Sequence, residues 1–274
     1  MKTLLLISFI LLSGCGDDKF SRVEELQGFR ILGVIATAPE VAPNGMSDLQ
    51  LIVSDQSGGG RVITGTTQSC IDPGISFGAN VSCAHDPATV NGTYTIDMAN
   101  DADLGSANLY TGVAAQIVSV IVPATIFLGR SARSQFNGVG YITIFNFQVD
   151  GKNISTFKRV TATNRVANTN PSISDVFLNG SPLTTTKPDK DDKLKVAVSA
   201  PETYTFENVD GSQEVKTEEQ AVAWYVSYGE FDKPKSEVEE DVKYLSNSPG
   251  STMVVVTLVR DERGGIALQR IVLP

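Results

Sequence analysis

Phe145-Asn146-Phe147-Gln148-Val149-Asp150-Gly151-Lys152-Asn153-Ile154-Ser155-Thr156-Phe157 is the stretch on which the fold turns. Asp150-Gly151 suits the two central positions of a type I′ turn. Both positions need positive φ, and this turn matches the right-handed twist of the strands it joins. Residues 140–149 and 154–163 are therefore expected to form an antiparallel hairpin. That places the middle of the chain in a β-rich class.

Towards the C-terminus the same grammar repeats. Residues 173–178 read as a strand turned by Asn179-Gly180, and residues 194–198 alternate cleanly. Residues 221–228 form a strand that carries the only tryptophan, Trp224. It is expected in a core, where a large ring fills the gap between two sheets. Residues 242–245 make a short strand. Residues 253–260 and 266–273 are expected to pair across Asp261-Glu262-Arg263-Gly264-Gly265. Short strands at near-regular spacing, punctuated by Gly and Pro turns, indicate β-sandwiches.

Towards the N-terminus, residues 124–136 read as a short helix. Ile117-Val118-Ser119-Val120-Ile121-Val122-Pro123 is the most apolar run after residue 14. Its length, Gln116 and Pro123 exclude a membrane span, which needs about 20 apolar residues. It is expected to be a buried strand ending at the proline. Residues 64–108 are rich in Gly, Ser, Thr, Asn and Asp. They read as a long insertion with little regular structure, apart from a short strand at 94–98 after the Asn91-Gly92 turn. Residues 49–53 form a strand, Ser57 to Gly60 a flexible turn, and Pro39 to Gly45 an extended bend. The first strand, residues 29–37, is apolar on both faces.

The N-terminus sets the address. Lys2 precedes an apolar run from Leu4 to Leu12, followed by Ser13, Gly14 and Cys15. This is the three-part pattern of a cleaved signal. Leu12-Ser13-Gly14-Cys15 resembles the bacterial lipoprotein signal. The resemblance implies acylation of Cys15 and its exposure as the first residue after cleavage. An ordinary secretory signal with an incidental cysteine is the alternative. Two long acyl chains suffice for stable anchoring, at about 0.8 kcal/mol per buried methylene. Gly16-Asp17-Asp18-Lys19 begins a polar tether, and Gly16 rather than Asp directly after Cys15 leans the sorting towards the outer membrane. The expected organisation is a lipoprotein signal peptide (1–14), a lipidated tether (15–27), an N-terminal sandwich (28–165), a linker (166–170) and a C-terminal sandwich (171–274).

The full chain of 274 residues carries a formal net charge of -9. Removing Lys2 leaves 21 basic against 31 acidic residues, or -10. That balance excludes nucleic acid and a polybasic membrane patch. With Cys15 assigned to lipid, Cys70 and Cys83 remain, an even pair in an oxidising compartment. A disulfide closing that loop contributes roughly 3 kcal/mol in the chain-entropy account. A zinc site from Cys70, Cys83, His85 and Asp86 is the alternative, but a close C-x-x-C pair is missing.

Catalytic signals are sparse. His85-Asp86 lacks a G-x-S-x-G nucleophile elbow, and the Glu237 to Asp241 run reads as a solvated face. No cofactor is expected, and beyond the zinc alternative the metal that the carboxylates suggest is calcium. Its candidates are Asp97, Asn100, Asp101 and Asp103 in one stretch, and Asp189, Asp191 and Asp192 in another. Neither has EF-hand spacing.

Phe29-Arg30-Ile31-Leu32-Gly33-Val34 running into Pro39 to Pro43, Lys158-Arg159-Val160 followed by Asn170-Pro171, Ala223-Trp224-Tyr225, and Val256 to Gly265 together resemble a set of poorly characterised lipoproteins of myxobacteria and predatory deltaproteobacteria. Tyr244 stands where that family carries a second tryptophan. The resemblance implies a surface-anchored, all-β protein of two tandem immunoglobulin-like β-sandwich domains with no assigned catalysis. The functional expectation is a non-enzymatic cell-surface lipoprotein acting in adhesion, recognition or envelope structure. Its partners are the membrane, through the lipid, and an envelope protein or surface glycan. The alternatives are an accessory subunit of an envelope complex and a carbohydrate-binding module. Tyr94, Tyr110, Tyr225 and Tyr228 are the candidate sugar-stacking rings, and residues 64–108 the candidate contact region.

Overall fold

The computed structural model describes Leu26 and residues 28–74, 81–84, 86–99 and 112–274. The signal peptide, Cys15, nearly all of the tether, His85, Asn100, Asp101, Asp103 and Tyr110 lie outside the described residues. Among the described residues no helix is long and apolar enough to cross a membrane.

The regular structure of the described residues is almost all β. In the first unit one sheet has the order β1 (Arg30–Ala36), β3 (Met46–Ser54), β6 (Val113–Ile121). The facing five-stranded sheet has the order β2 (Glu40–Val41), β8 (Lys152–Ala162), β7 (Val139–Val149), β4 (Val62–Ile71), β5 (Val90–Asp97). The expected hairpin is β7–β8, in register from Val149–Lys152 to Val139–Ala162. Asp150 and Gly151 both take positive φ, 52° and 74°, as a type I′ turn requires. Between the two sheets lies a core that includes Val34, Leu49, Leu51, Ile96, Phe145, Phe147 and Val160. Tyr94 stacks edge-on against Phe145 at 5.6 Å within it.

The second unit repeats the plan. One sheet is β10 (Ser181–Pro182), β9 (Ile173–Leu178), β11 (Lys193–Val198), β16 (Val242–Lys243). The other is β15 (Lys235–Glu237), β14 (Gln220–Val226), β17 (Met253–Asp261), β18 (Ile266–Leu273). Trp224 is fully buried between them, as expected, and its indole N–H donates to Ser236 Oγ at 3.1 Å. Tyr244 is also fully buried. Its ring lies 5.9 Å from Phe231 and its hydroxyl donates to the Tyr228 carbonyl at 2.9 Å.

The two units are not beads on a string. Leu26, Leu32, Ile52, Val113 and Ala115 of the first pack against Val254 and Val256 of the second in a core of their own. The four sheets named so far thus stack with an apolar layer between each neighbouring pair. This explains two continuous apolar runs. In β17, Met253, Val255 and Val259 face the second unit's core, while Val254 and Val256 face the first unit. In β1, Val34 and Ala36 face inward and Leu32 outward. A strand covered on both faces loses the alternation of a half-buried one.

The linker is pinned as well. Asn168 is buried, donating from its backbone N–H to Glu40 and from its side chain to Asp261 Oδ2 at 3.1 Å. Asn170 Nδ2 donates to the Ala36 carbonyl at 2.7 Å, and its Oδ1 accepts from Ile266 N–H. A hairpin absent from the sequence reading, β12 (Thr203–Glu207) and β13 (Gln213–Thr217), straps the junction. The carboxamide of Asn137, at the end of α1 (Ala132–Asn137), pairs with the backbone N–H and C=O of Glu207 as a strand would.

Four expectations need correction. Residues 64–71 and 90–93 are not irregular; they lie in β4 and β5 of the five-stranded sheet, and the short strand expected at 94–98 is the second half of β5. Asn91-Gly92 is not a turn but part of β5, where Gly92 leaves room for Thr67 Oγ1 on the facing strand. The helix expected over 124–136 is split into a 3-10 turn, Ala124–Phe127, and α1, with Gly129 at φ 72° between them. The apolar run at 117–122 is not a buried strand throughout, because the second unit covers only the Val113–Ala115 end of β6. Ile117 and Ile121 remain 46% and 61% exposed.

Candidate functional site

The outer face of the five-stranded sheet carries side chains from alternate positions of its strands. One cross-strand row runs Thr93, Thr66, Asn146, Ser155. Beside it, Thr95 pairs with Thr64, and Gln148 with Asn153. The next row is Asn91, Gln68, Ile144, Phe157. The first two rows line a shallow groove of about 780 Å³, floored in part by Gly65, Tyr94, Phe147 and Ile154. None of the lining side chains carries a charge.

Local chemistry explains why these residues make strands and still leave a polar face. Threonine is β-branched and favours the pleated conformation, while its hydroxyl can remain in water. The inward partners do the packing. Tyr94 lies over Gly65, where a Cβ would sit 2.3 Å from the ring. Burial of Tyr94 pushes its phenol well above the ordinary value, so it stays neutral at any physiological pH.

The groove has two structured ends. At one, Cys70 and Cys83 form the expected disulfide, with Cα atoms 5.7 Å apart. Together with Val81 they cover Ile142 and Ile144, which would otherwise expose apolar surface on this face. Asp86 accepts the Ile71 N–H at 2.9 Å, and Arg159 donates to Asp72 at 2.6 Å, fastening the stapled segment to the sheet. At the other end Arg61 bridges Asp55 and Asp150, both at 2.6 Å. The Asp150 and Asp55 contacts hold the Arg61 guanidinium above its ordinary pKa, and Arg61 holds the Asp150 carboxyl below its own.

The remaining sequence candidates fall elsewhere. With Cys70 and Cys83 oxidised, no thiolate is left for the zinc alternative. Asp97 caps its own turn by accepting the Ala99 N–H. Asp189 accepts N–H groups from Lys190 and Ser248, which hold its carboxyl below the ordinary value. Asp192 accepts from Asp189 N–H and Asn179 Nδ2, and Asp191 occupies a left-handed position at φ 70°. These carboxylates organise a loop, and the described residues hold no cluster of three or more metal-ligating side chains. Of the expected sugar-stacking rings, Tyr94 is in the core, Tyr225 packs between the two units, and Tyr228 is 46% exposed. They share no face. In the Glu237 to Asp241 run, Glu239 pairs with Lys195, Glu240 with Lys233, and Asp241 with Lys193.

A second polar cluster escaped the sequence reading. Glu40, 3% exposed, accepts from Arg165 Nη2 at 2.8 Å and from Arg263 Nε at 3.2 Å. Arg263 also reaches Glu218 at 3.2 Å and the Val166 carbonyl at 3.1 Å. Both guanidinium groups also lie over the Tyr204 ring, Arg165 at 4.9 Å and Arg263 at 4.8 Å from its centroid. Desolvation, then the nearby Asp261 charge, push the Glu218 carboxyl up to about 7. These residues come from five separate segments, so no local motif announces them. The cluster clamps the units together, since both guanidinium groups are nearly buried and already paired.

No family model matches the chain, and no curated protein matches it. Among solved structures, red sea bream transglutaminase is 8% identical over 90% of this chain and 31% of its own, with a TM-score of 0.29. A C-terminal fragment of intimin, solved with the intimin-binding domain of its translocated receptor, is 10% identical over 89% and 64%, with a TM-score of 0.25. Dimeric latent PorU from Porphyromonas gingivalis is 9% identical over 91% and 24%, with a TM-score of 0.23. The chain spans less than two thirds of each. What the fold and groove define is an all-β sandwich protein with an uncharged, polar groove on one outer face.

Proposed function

We propose that this chain is a non-enzymatic envelope lipoprotein, anchored through acylated Cys15, that recognises a surface partner through the outer face of its five-stranded sheet. The observation that carries the reading is the groove itself. It is built from hydroxyls and carboxamides on a rigid sheet, and nothing in it titrates near neutral pH, which suits binding rather than proton transfer. The two units are read as immunoglobulin-like. In the second, β9, β11 and β16 correspond to strands A, B and E, and β15, β14, β17 and β18 to C′, C, F and G. In the first, β1, β3 and β6 oppose β8, β7, β4 and β5 in the same pattern. Trp224 on the C-equivalent strand sits where such domains carry a core tryptophan.

The test uses wild type and Cys15→Ala expressed in the native host with an alkyne-bearing fatty acid. Label in the wild type alone, together with binding of labelled protein to intact cells that Thr66→Ala plus Gln148→Ala abolishes, supports the reading. Equal labelling of the Cys15→Ala protein, or cell binding indifferent to the groove, overturns it.

A second reading, an accessory subunit of an envelope complex, rests on a different surface. Met46 and Ile121 face each other across β3 and β6 at about 60% exposure, and Ile117 lies further along the same face beyond the Asp48–Ser119 pair. Exposed apolar side chains grouped in this way favour protein contacts. Crosslinking from intact cells tests it: Ile117→Ser plus Ile121→Ser is expected to remove a stoichiometric partner, and a partner retained at full yield sinks it.

A further inference from the structure

We infer that the groove on the five-stranded sheet is a binding site for a neutral polysaccharide chain; this rests on the recognition reading above and names its ligand class. Three observations converge on it. First, the side chains of Thr66, Thr93, Asn146, Gln148, Asn153 and Ser155 make no hydrogen bond to the protein among the described residues, although elsewhere exposed polar groups are commonly paired. Each hydroxyl or carboxamide can both donate and accept, which is what a sugar hydroxyl demands. Second, the groove is uncharged in a chain whose formal net charge is -9. An anionic polymer would meet a repulsive molecule, and a cationic one would find no carboxylate in the groove to pair with. A neutral chain is the class that suffers neither penalty. Third, Phe157 stands 39% exposed in the next row, beside Ile144, offering an apolar face to a sugar ring at the groove's edge.

The dimensions suit a short run of sugars. Neighbouring strands lie about 4.8 Å apart, so the four strands of the groove span roughly 14 Å. A groove open along that span binds an internal stretch of polymer and needs no chain end. Recognition is then by hydrogen bonds, each net-favourable by about 0.5–1.5 kcal/mol, with weak affinity per site and gain from repetition on a surface.

The experiment is native electrophoresis of the full-length lipoprotein in detergent through gels containing a neutral glucan, mannan or galactan, with an anionic polygalacturonate gel as contrast. Retardation is expected in at least one neutral gel and not in the anionic one. Thr66→Ala plus Gln148→Ala is expected to weaken it by about tenfold or more, and Thr185→Ala, on an exposed loop elsewhere, to leave it unchanged. Melting curves matched to wild type exclude a folding defect, and Thr93→Ala plus Asn153→Ala provides an independent pair. Retardation in no neutral gel, equal retardation in the anionic gel, or indifference to both double variants each overturns the proposal. If the double variants still lose binding to intact cells while all neutral gels stay silent, recognition through this face stands and the polysaccharide assignment alone fails.

Discussion

Thr257 is fully buried opposite Trp224 and Gln269, and its hydroxyl has no hydrogen-bond partner. A buried hydroxyl without a partner loses its hydration and gains nothing in return. Thr257→Val keeps the shape and removes the polar atom, so urea denaturation is expected to show stabilisation of about 1 kcal/mol. Gly229 is the opposite case. It takes φ 81°, and an added Cβ would lie 2.2 Å from the Tyr244 hydroxyl. Gly229→Ala therefore combines a disfavoured backbone with a clash against a fully buried ring, and a loss of roughly 2–4 kcal/mol is expected in the same assay. Glu218 gives a pH dependence. Its folded pKa is raised to about 7 from an ordinary 4.5, chiefly by desolvation. Below pH 4.5 the group is protonated in both states and folding is not penalised. Between pH 4.5 and 7 the unfolded chain releases the proton more readily, so this group's contribution to stability falls as pH rises and levels off above 7. Denaturation series from pH 5 to 8 are expected to show a decline on the order of 2 kcal/mol that Glu218→Gln flattens. A decline of equal size in the variant would exclude Glu218 as its source.

At the scale of elements, legibility followed burial geometry. The β7–β8 hairpin could be read because Asp150-Gly151 is a turn that only positive-φ residues satisfy, and the β17–β18 pair because two apolar runs flank a Gly-rich turn. β4 and the first half of β5 read as loop because their exposed positions are Thr, Gln and Asn, while the inward alternation of Tyr94 and Ile96 is enough to mark the second half of β5 as strand. β12 and β13 were missed because their anchorage is remote: the Asn137 carboxamide, and the Arg165 donation to the Thr205 carbonyl. The groove is half legible, since the polar composition of residues 64–108 marks them as a contact region, but its far wall on β7 and β8 depends on a register no local pattern reveals. The disulfide was legible by counting. Its removal is informative because Cys70 and Cys83 lie over Ile142 and Ile144. Cys70→Ser plus Cys83→Ser is expected to lower stability by about 3 kcal/mol and to raise hydrogen exchange in β4 and β7 first. Exchange rising equally in the second unit would mean that the staple acts on the whole molecule rather than on this face.

At the scale of the molecule, the question is whether the units act as one body. Two contacts argue that they do: the apolar layer of Leu32, Ile52 and Ala115 against Val254 and Val256, and the buried ionic clamp at Glu40. The apolar runs in β1 and β17 were the sequence-level trace of that layer, since neither strand has a solvent face to mark with polar residues. The clamp differs in kind from the layer. Replacing both partners of a buried ion pair can be neutral, whereas removing one leaves an uncompensated charge and costs about 3–5 kcal/mol. Glu40→Ala leaves the Arg165 guanidinium, 8% exposed, without a carboxylate partner, and leaves Arg263, 5% exposed, to Glu218 and the more distant Glu202. Because one guanidinium belongs to the residue just before the linker and the other to the β17–β18 turn, that loss falls on the junction before it falls on either core. Wild type is expected to unfold in a single calorimetric transition. Glu40→Ala is expected to split it in two, with the early step reported by exchange in the linker and the β12–β13 hairpin, while Trp224 fluorescence tracks only the later one. A single transition at lower temperature, with Trp224 and the linker moving together, would assign the cooperativity to the apolar layer and leave the clamp a local role.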